Sequence, residues 1–176
     1  TRRPYFERMI HRIRQIAIVS LLFLVALGAT ALAVVWAPDR SVAELSARWA
    51  PPPSTFVRVG AHTLHLRDEG PRDSLPPIVL LHGTSASLHT WDGWVDSLIP
   101  TRRVVRFDLP GFGLTGPAPD DDYRIITYAT LVVAVLDSLR IPRAVLAGNS
   151  LGGEIAARVS SLAPERVTAL ILVDPA

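Results

Sequence analysis

The sequence contains no cysteine and no lysine, and none of its five histidines follows residue 89. Without cysteine, disulfides, thiolate catalysis and cysteine-held zinc are excluded. Without lysine, all 18 basic residues are arginine, a compositional bias from which no function follows. Charge is sparse, at 19% of 176 residues against 49% hydrophobic, which excludes a disordered chain. The net charge of +2 is unevenly placed. Residues 1–15 hold Arg2, Arg3, Arg8, Arg12 and Arg14 against Glu7 alone, leaving 13 arginines and 15 acids for the rest. A basic tail beside a near-neutral remainder offers no basic face for nucleic acid.

Charge is missing altogether from Ile16 to Trp36, a run of 21 residues reading IAIVSLLFLVALGATALAVVW. At about 1.5 Å per residue, a helix of this length matches a hydrocarbon core of about 30 Å. Arginines precede the run and Trp36 ends it. The pattern predicts a single-pass anchor in a lipid bilayer, with the N-terminus cytoplasmic and the remainder on the exported side. Secretion after signal cleavage is the alternative, since Ala31-Leu32-Ala33 resembles a cleavage site, but the run exceeds the usual apolar region of about 7–15 residues. The expected organisation is a basic tail (1–15), a transmembrane helix (16–36), a Pro-rich linker (37–55) and a domain over 56–176. The linker carries a short helical pattern, SVAELSARWA, and then Pro51-Pro52-Pro53, which favours an extended polyproline segment.

From Phe56 onward, strand and helix patterns alternate. FVRVG and HTLHLRDEG predict a hairpin turning near Gly60, and PIVLLHG a buried strand. HTWDGWVDSLI predicts a helix, VVRFDLPG a strand, and Tyr123–Leu139 a helix stopped by Pro142. AVLAGN, SLGGEIAARVSSLA and VTALILVD follow as strand, helix and strand. This order implies an α/β fold with a mostly parallel sheet covered on both faces.

One serine stands out. Ser150 lies in G-N-S-L-G, between a predicted strand and a predicted helix. A nucleophile at such a turn needs small neighbours two residues to either side, and Gly148 and Gly152 meet that need. A chance pentapeptide is the bland alternative, and the strand–motif–helix order argues against it. His82-Gly83-Thr84 follows the strand PIVLL. Its backbone N–H at Thr84, with that of Leu151, would form an oxyanion hole, and His82 would orient the loop without acting as a base. The bland reading of His82-Gly83 is a strand-ending turn. His62 and His65 are three residues apart in a strand and so on opposite faces, which argues against metal binding. Asp108 reads as a structural residue at a strand end, with Gly111 and Gly113 allowing close packing, and Asp120-Asp121-Asp122 as a solvated turn.

Together LLHGTSASLHTW, FDLPGFGLT, AGNSLGG and ALILVD resemble the α/β-hydrolase superfamily, with a serine nucleophile, as in membrane-anchored bacterial members. The likeness covers about Phe56 to Ala176, the N-terminal part of that fold's sheet. It implies a serine hydrolase that cleaves an ester-like bond through an acyl-enzyme on Ser150, with no cofactor and no metal. A small-molecule substrate follows, and a hydrophobic ester suits a membrane-tethered enzyme. The family order is serine, acid, histidine, so the resemblance places the acid and the histidine beyond Ala176 and the C-terminal part of the fold outside this chain, which by itself would be inactive. Asp174 is a second candidate for the acid, its other reading being a loop-capping residue. The same fold hosts carbon–carbon bond hydrolases, lactonases and cofactor-free peroxidases, and a catalytically silent binding protein would also keep it.

Overall fold

The computed structural model describes residues 3–38, 40–72 and 75–176, and divides them into two units at Arg40–Ser41. The first unit contains one helix, α1 (Arg3–Val35). Arg8, Arg12 and Arg14, which are good helix formers, lie in the same helix as the apolar run. The helix stops at Val35, short of Trp36, where Ala37-Pro38 disfavours helical geometry. Among the described side chains of α1 all are exposed, including Ile16, Leu21 and Phe23. It is the one described helix long and apolar enough to cross a membrane. Arg2 and Asp39 lie outside the described residues.

The second unit begins with α2 (Val42–Trp49), capped by Ser41, whose Oγ accepts the Glu44 N–H at 3.2 Å. Part of the expected linker therefore belongs to the domain. His89 Nε2 donates to the Trp49 carbonyl at 2.9 Å and their rings pack at 5.8 Å. Nor is the triple proline extended. Ser54 N–H donates to the Pro51 carbonyl at 3.0 Å, closing a tight turn that delivers the chain to the sheet. A closing hydrogen bond that free polyproline lacks decides the shape.

Six strands follow: β1 (Thr55–Val59), β2 (His62–Glu69), β3 (Ile78–Leu81), β4 (Val104–Phe107), β5 (Ala144–Ser150) and β6 (Val167–Pro175). Their spatial order is β1-β2-β4-β3-β5-β6; β1, β2 and β4 pair antiparallel, and β4, β3, β5 and β6 are parallel. Side-chain alternation divides the core. Val79, Leu81, Val105, Phe107 and Leu146 face α4 (Ile125–Ser138) and α5 (Leu151–Leu162). Ile78, Leu80, Val104, Val145 and Ala147 face the opposite layer, where a 3-10 turn with Trp91 leads into α3 (Asp92–Leu98). Arg106 points into that layer, buried, and binds the carboxylates of Glu69 and Asp92 and the Leu88 carbonyl. Each guanidinium nitrogen thus has an acceptor, which offsets the cost of burying the charge. Among the described residues β6 pairs only with β5, and Leu170, Ile171 and Leu172 are 37–44% exposed.

Candidate active site

β5 runs directly into α5, and the junction residue is Ser150. Its backbone sits at φ 49°, ψ −120°, a conformation that L-residues adopt only under constraint. Such strain costs about 1–3 kcal/mol and persists where surrounding structure enforces it. Here the enforcement is the close packing of strand against helix. A Cβ on Gly148 would overlap the Gly152 carbonyl, and one on Gly152 would overlap the Leu81 carbonyl at the end of β3. The two glycines singled out in the sequence thus allow the chain to fold back over itself, which leaves Ser150 half-exposed at the carboxyl edge of the parallel strands. Leu151 is the first residue of α5, so its N–H has no acceptor within the helix, and the positive end of the helix dipole lies at the serine.

Gly83 presses against the same point. A Cβ there would lie 3.2 Å from Ser150 Cβ and 2.9 Å from Asn149 Oδ1. The loop after β3 therefore abuts the serine, and Thr84, next in sequence, is exposed beside it. The structure brings Gly83, Gly148, Ser150, Leu151 and Gly152 together, with Thr84 on the abutting loop. Asn149 is a residue the sequence reading passed over: its Nδ2 donates to the Val173 carbonyl at 3.1 Å, tying β5 to β6 where their ladder becomes irregular.

His82 is fully buried. Its Nδ1–H donates to the Gly83 carbonyl at 2.8 Å, and its Nε2 accepts the Leu109 N–H at 3.0 Å. Burial lowers its pKa, against the opposing pull of the Gly83 bond and the Asp108 charge, so the ring is neutral and both nitrogens are engaged. It braces the loop after β3 against the loop after β4. Asp108 performs a similar task on the other side. Burial alone would raise its pKa, but hydrogen bonds from His65 and from the N–H groups of Leu88 and Leu114 outweigh burial and lower it. A Cβ on Gly113 would overlap that carboxylate. In the acidic loop, Asp122 accepts from Arg124 and Thr127 at the start of α4.

Among the described residues no histidine hydrogen-bonds Ser150: His65 is engaged with Asp108 and Ser54, His82 with Gly83 and Leu109, His89 with Trp49 and Asp92. Asp174 is exposed, at φ 42°, in the irregular stretch where Val173 pairs with Asn149 and Pro175 with Ser150. It thus lies at the same sheet edge as the serine, without a histidine partner. Among the described residues no cluster of His, Asp and Glu is arranged to hold a metal.

Residues 76–176 match the family model for the α/β-hydrolase fold. A 2-hydroxymuconate semialdehyde hydrolase of Pseudomonas sp. strain CF600 is 36% identical over 103 residues, covering 57% of this chain and 36% of that protein. Among solved structures, a membrane phospholipase A described as a bacterial virulence factor superposes with a TM-score of 0.69 at 30% identity, covering 90% of this chain and 51% of that one. An N-acyl homoserine lactone degrading enzyme superposes with a TM-score of 0.63 at 31% identity, covering 69% and 45%. The chain spans less than half the length of the curated relatives it matches, among which are hydrolases of several kinds, lipases and an esterase included. The order of strands, the backbone at Ser150 and these matches lead to one assignment: the chain belongs to the α/β-hydrolase fold family.

Proposed function

We propose that this protein is a serine hydrolase acting on an ester-like bond. Ser150 Oγ attacks the carbonyl carbon, and the N–H groups of Thr84 and Leu151 stabilise the oxyanion. The serine proton passes to a histidine and then to the departing alcohol, and water releases the acyl group from Ser150. This reading takes the histidine, and the carboxylate orienting it, from residues of the whole protein outside 1–176, with Asp174 as the alternative acid. The observation that carries it is the backbone of Ser150 at φ 49°, held at the strand-to-helix turn with the Gly83 loop packed against it. Lipases and esterases among the relatives support the ester class, and the lactone-degrading structure supports the same chemistry on a cyclic ester.

In this reading α1 anchors the enzyme in a bilayer, with its arginine-rich end cytoplasmic and the catalytic domain exported. The membrane phospholipase A supports the anchor, because its match covers more of this chain than residues 41–176 supply. A reporter fused after Ala176 is expected to read as exported, and cytoplasmic activity of that fusion would reverse the orientation.

The mechanism is tested with the full-length protein on short p-nitrophenyl esters. Ser150→Ala is expected to lower kcat by about 10³-fold or more. A variant as fast as wild type would remove Ser150 from the mechanism. A wild-type protein inert on esters, lactones and diketones would make the fold a binding module, while preference among those three would name the substrate class.

A further inference from the structure

Ser54 closes the triple-proline turn, and its hydroxyl is bound into a buried relay. His65 Nε2 is 2.9 Å from Ser54 Oγ, and His65 Nδ1 is 2.8 Å from Asp108 Oδ2. His65 and Asp108 are 0% and 1% exposed. The direction of each bond is dictated by chemistry. An ionised carboxylate only accepts, so Nδ1 carries the proton, Nε2 presents a lone pair, and the Ser54 O–H donates to it. Arg67 Nε, on a side chain that is itself buried, donates to the same Ser54 oxygen at 2.8 Å. Serine, imidazole and carboxylate are thus connected in the sense a serine nucleophile requires, with a guanidinium placed to stabilise negative charge on the oxygen.

None of these groups belongs to the Ser150 site. His65 and Asp108 border a separate cavity of about 260 Å³, whose walls include Leu45, Trp49 and Leu114 with Ser87 and His89. Ser54 is half-buried.

We propose that Ser54, His65 and Asp108 form a second acyl-accepting site, in which Ser54 takes a short acyl group from an activated ester. Ser54 Oγ forms the new bond to the carbonyl carbon, and the bond from that carbon to the leaving oxygen breaks. The hydroxyl proton moves to His65 Nε2 and then to the leaving oxygen, giving an acylated Ser54 and a free phenol or alcohol. Asp108 retains its negative charge throughout and positions the imidazole.

The test uses the full-length protein carrying Ser150→Ala, so that the outcome is independent of the function proposed for Ser150. It is treated with p-nitrophenyl acetate, and the modified peptides are identified by mass spectrometry over time. Ser54 is expected to acquire an acetyl group about 10²-fold or more faster than the exposed Ser161, the gain a positioned base supplies. Adding Ser54→Ala is expected to abolish that peptide's label and to leave the background at Ser161 unchanged. Acetylation of Ser54 no faster than of Ser161, or none at all, would overturn the proposal and leave the relay as a brace for the proline turn. Because the first measurement leaves Ser54, His65 and Asp108 intact, its result does not depend on how well a relay variant folds.

Discussion

His82→Ala probes the brace between the loop that abuts Ser150 and the loop after β4. The substitution removes the donor to the Gly83 carbonyl and the acceptor of the Leu109 N–H, both of them buried. Each stranded group costs about 1–3 kcal/mol, so the pair costs about 2–6 kcal/mol. Loss of the edge-on contact with Phe112, at 5.6 Å, adds about 0.5–1.5 kcal/mol. The sum is a large fraction of the about 5–15 kcal/mol that stabilises an ordinary domain. Urea unfolding of the full-length protein in detergent, followed by the fluorescence of Trp91 and Trp94, measures it. His82→Gln keeps one donor and one acceptor and is expected to recover part of the loss. The pH dependence has a defined sign. A folded-state pKa held below the ordinary value of about 6.5 means that the unfolded chain binds the proton more readily. The contribution of His82 is therefore complete above about pH 6.5 and is lost as pH falls from there toward its lowered folded pKa, a dependence absent from His82→Gln. A His82→Ala variant less than about 1 kcal/mol below wild type would refute the idea that this ring braces the loops.

Gly148→Ala places a methyl group against the backbone of Gly152 and Gly153, so α5 must move away from β5. A stability loss of about 1–3 kcal/mol and a fall in esterase kcat of about 10²-fold are expected, and wild-type kinetics would refute the packing account. Asp108→Asn deprives three donors of a shared carboxylate and is expected to cost about 3 kcal/mol or more in a urea titration. Because the Asp108 pKa is lowered on folding, its contribution is present above about pH 4 and is lost as pH falls below that, a slope the variant lacks. A preparation of residues 41–176 presents the apolar edge of β6 to water and is expected to self-associate; Ile171→Lys should reduce the light scattering, and a monodisperse unmodified preparation would contradict the exposure of that edge.

Much of this architecture was legible in the amino-acid order because local chemistry specifies it. Continuous apolar runs such as IVLL and the strand–helix alternation mark buried parallel strands, and the 21 uncharged residues mark a helix long and apolar enough to cross a membrane. Gly148, Ser150 and Gly152 are legible for the same reason: the turn they make is local, and only small flanking residues permit it. The contacts that complete the site are long-range, and no spacing encodes them. His82 reaches Leu109 across 27 positions, and His65 reaches Asp108 across 43. Arg106 breaks an apolar strand in the sequence, and only the fold shows that Glu69 and Asp92 converge on it. The helical pattern of SVAELSARWA is borne out by α2, but the triple proline was misread because an isolated proline run prefers to be extended, whereas here a hydrogen bond closes it into a turn and the packing of Trp49 on His89 holds the segment to the domain. The sequence by itself determined the elements and the strand-to-helix turn at Ser150, since both depend on neighbours in the chain. Tertiary structure alone decided which histidine braces which loop, and that Ser54 has an imidazole and a guanidinium at its oxygen, because those partners meet only when the sheet has formed.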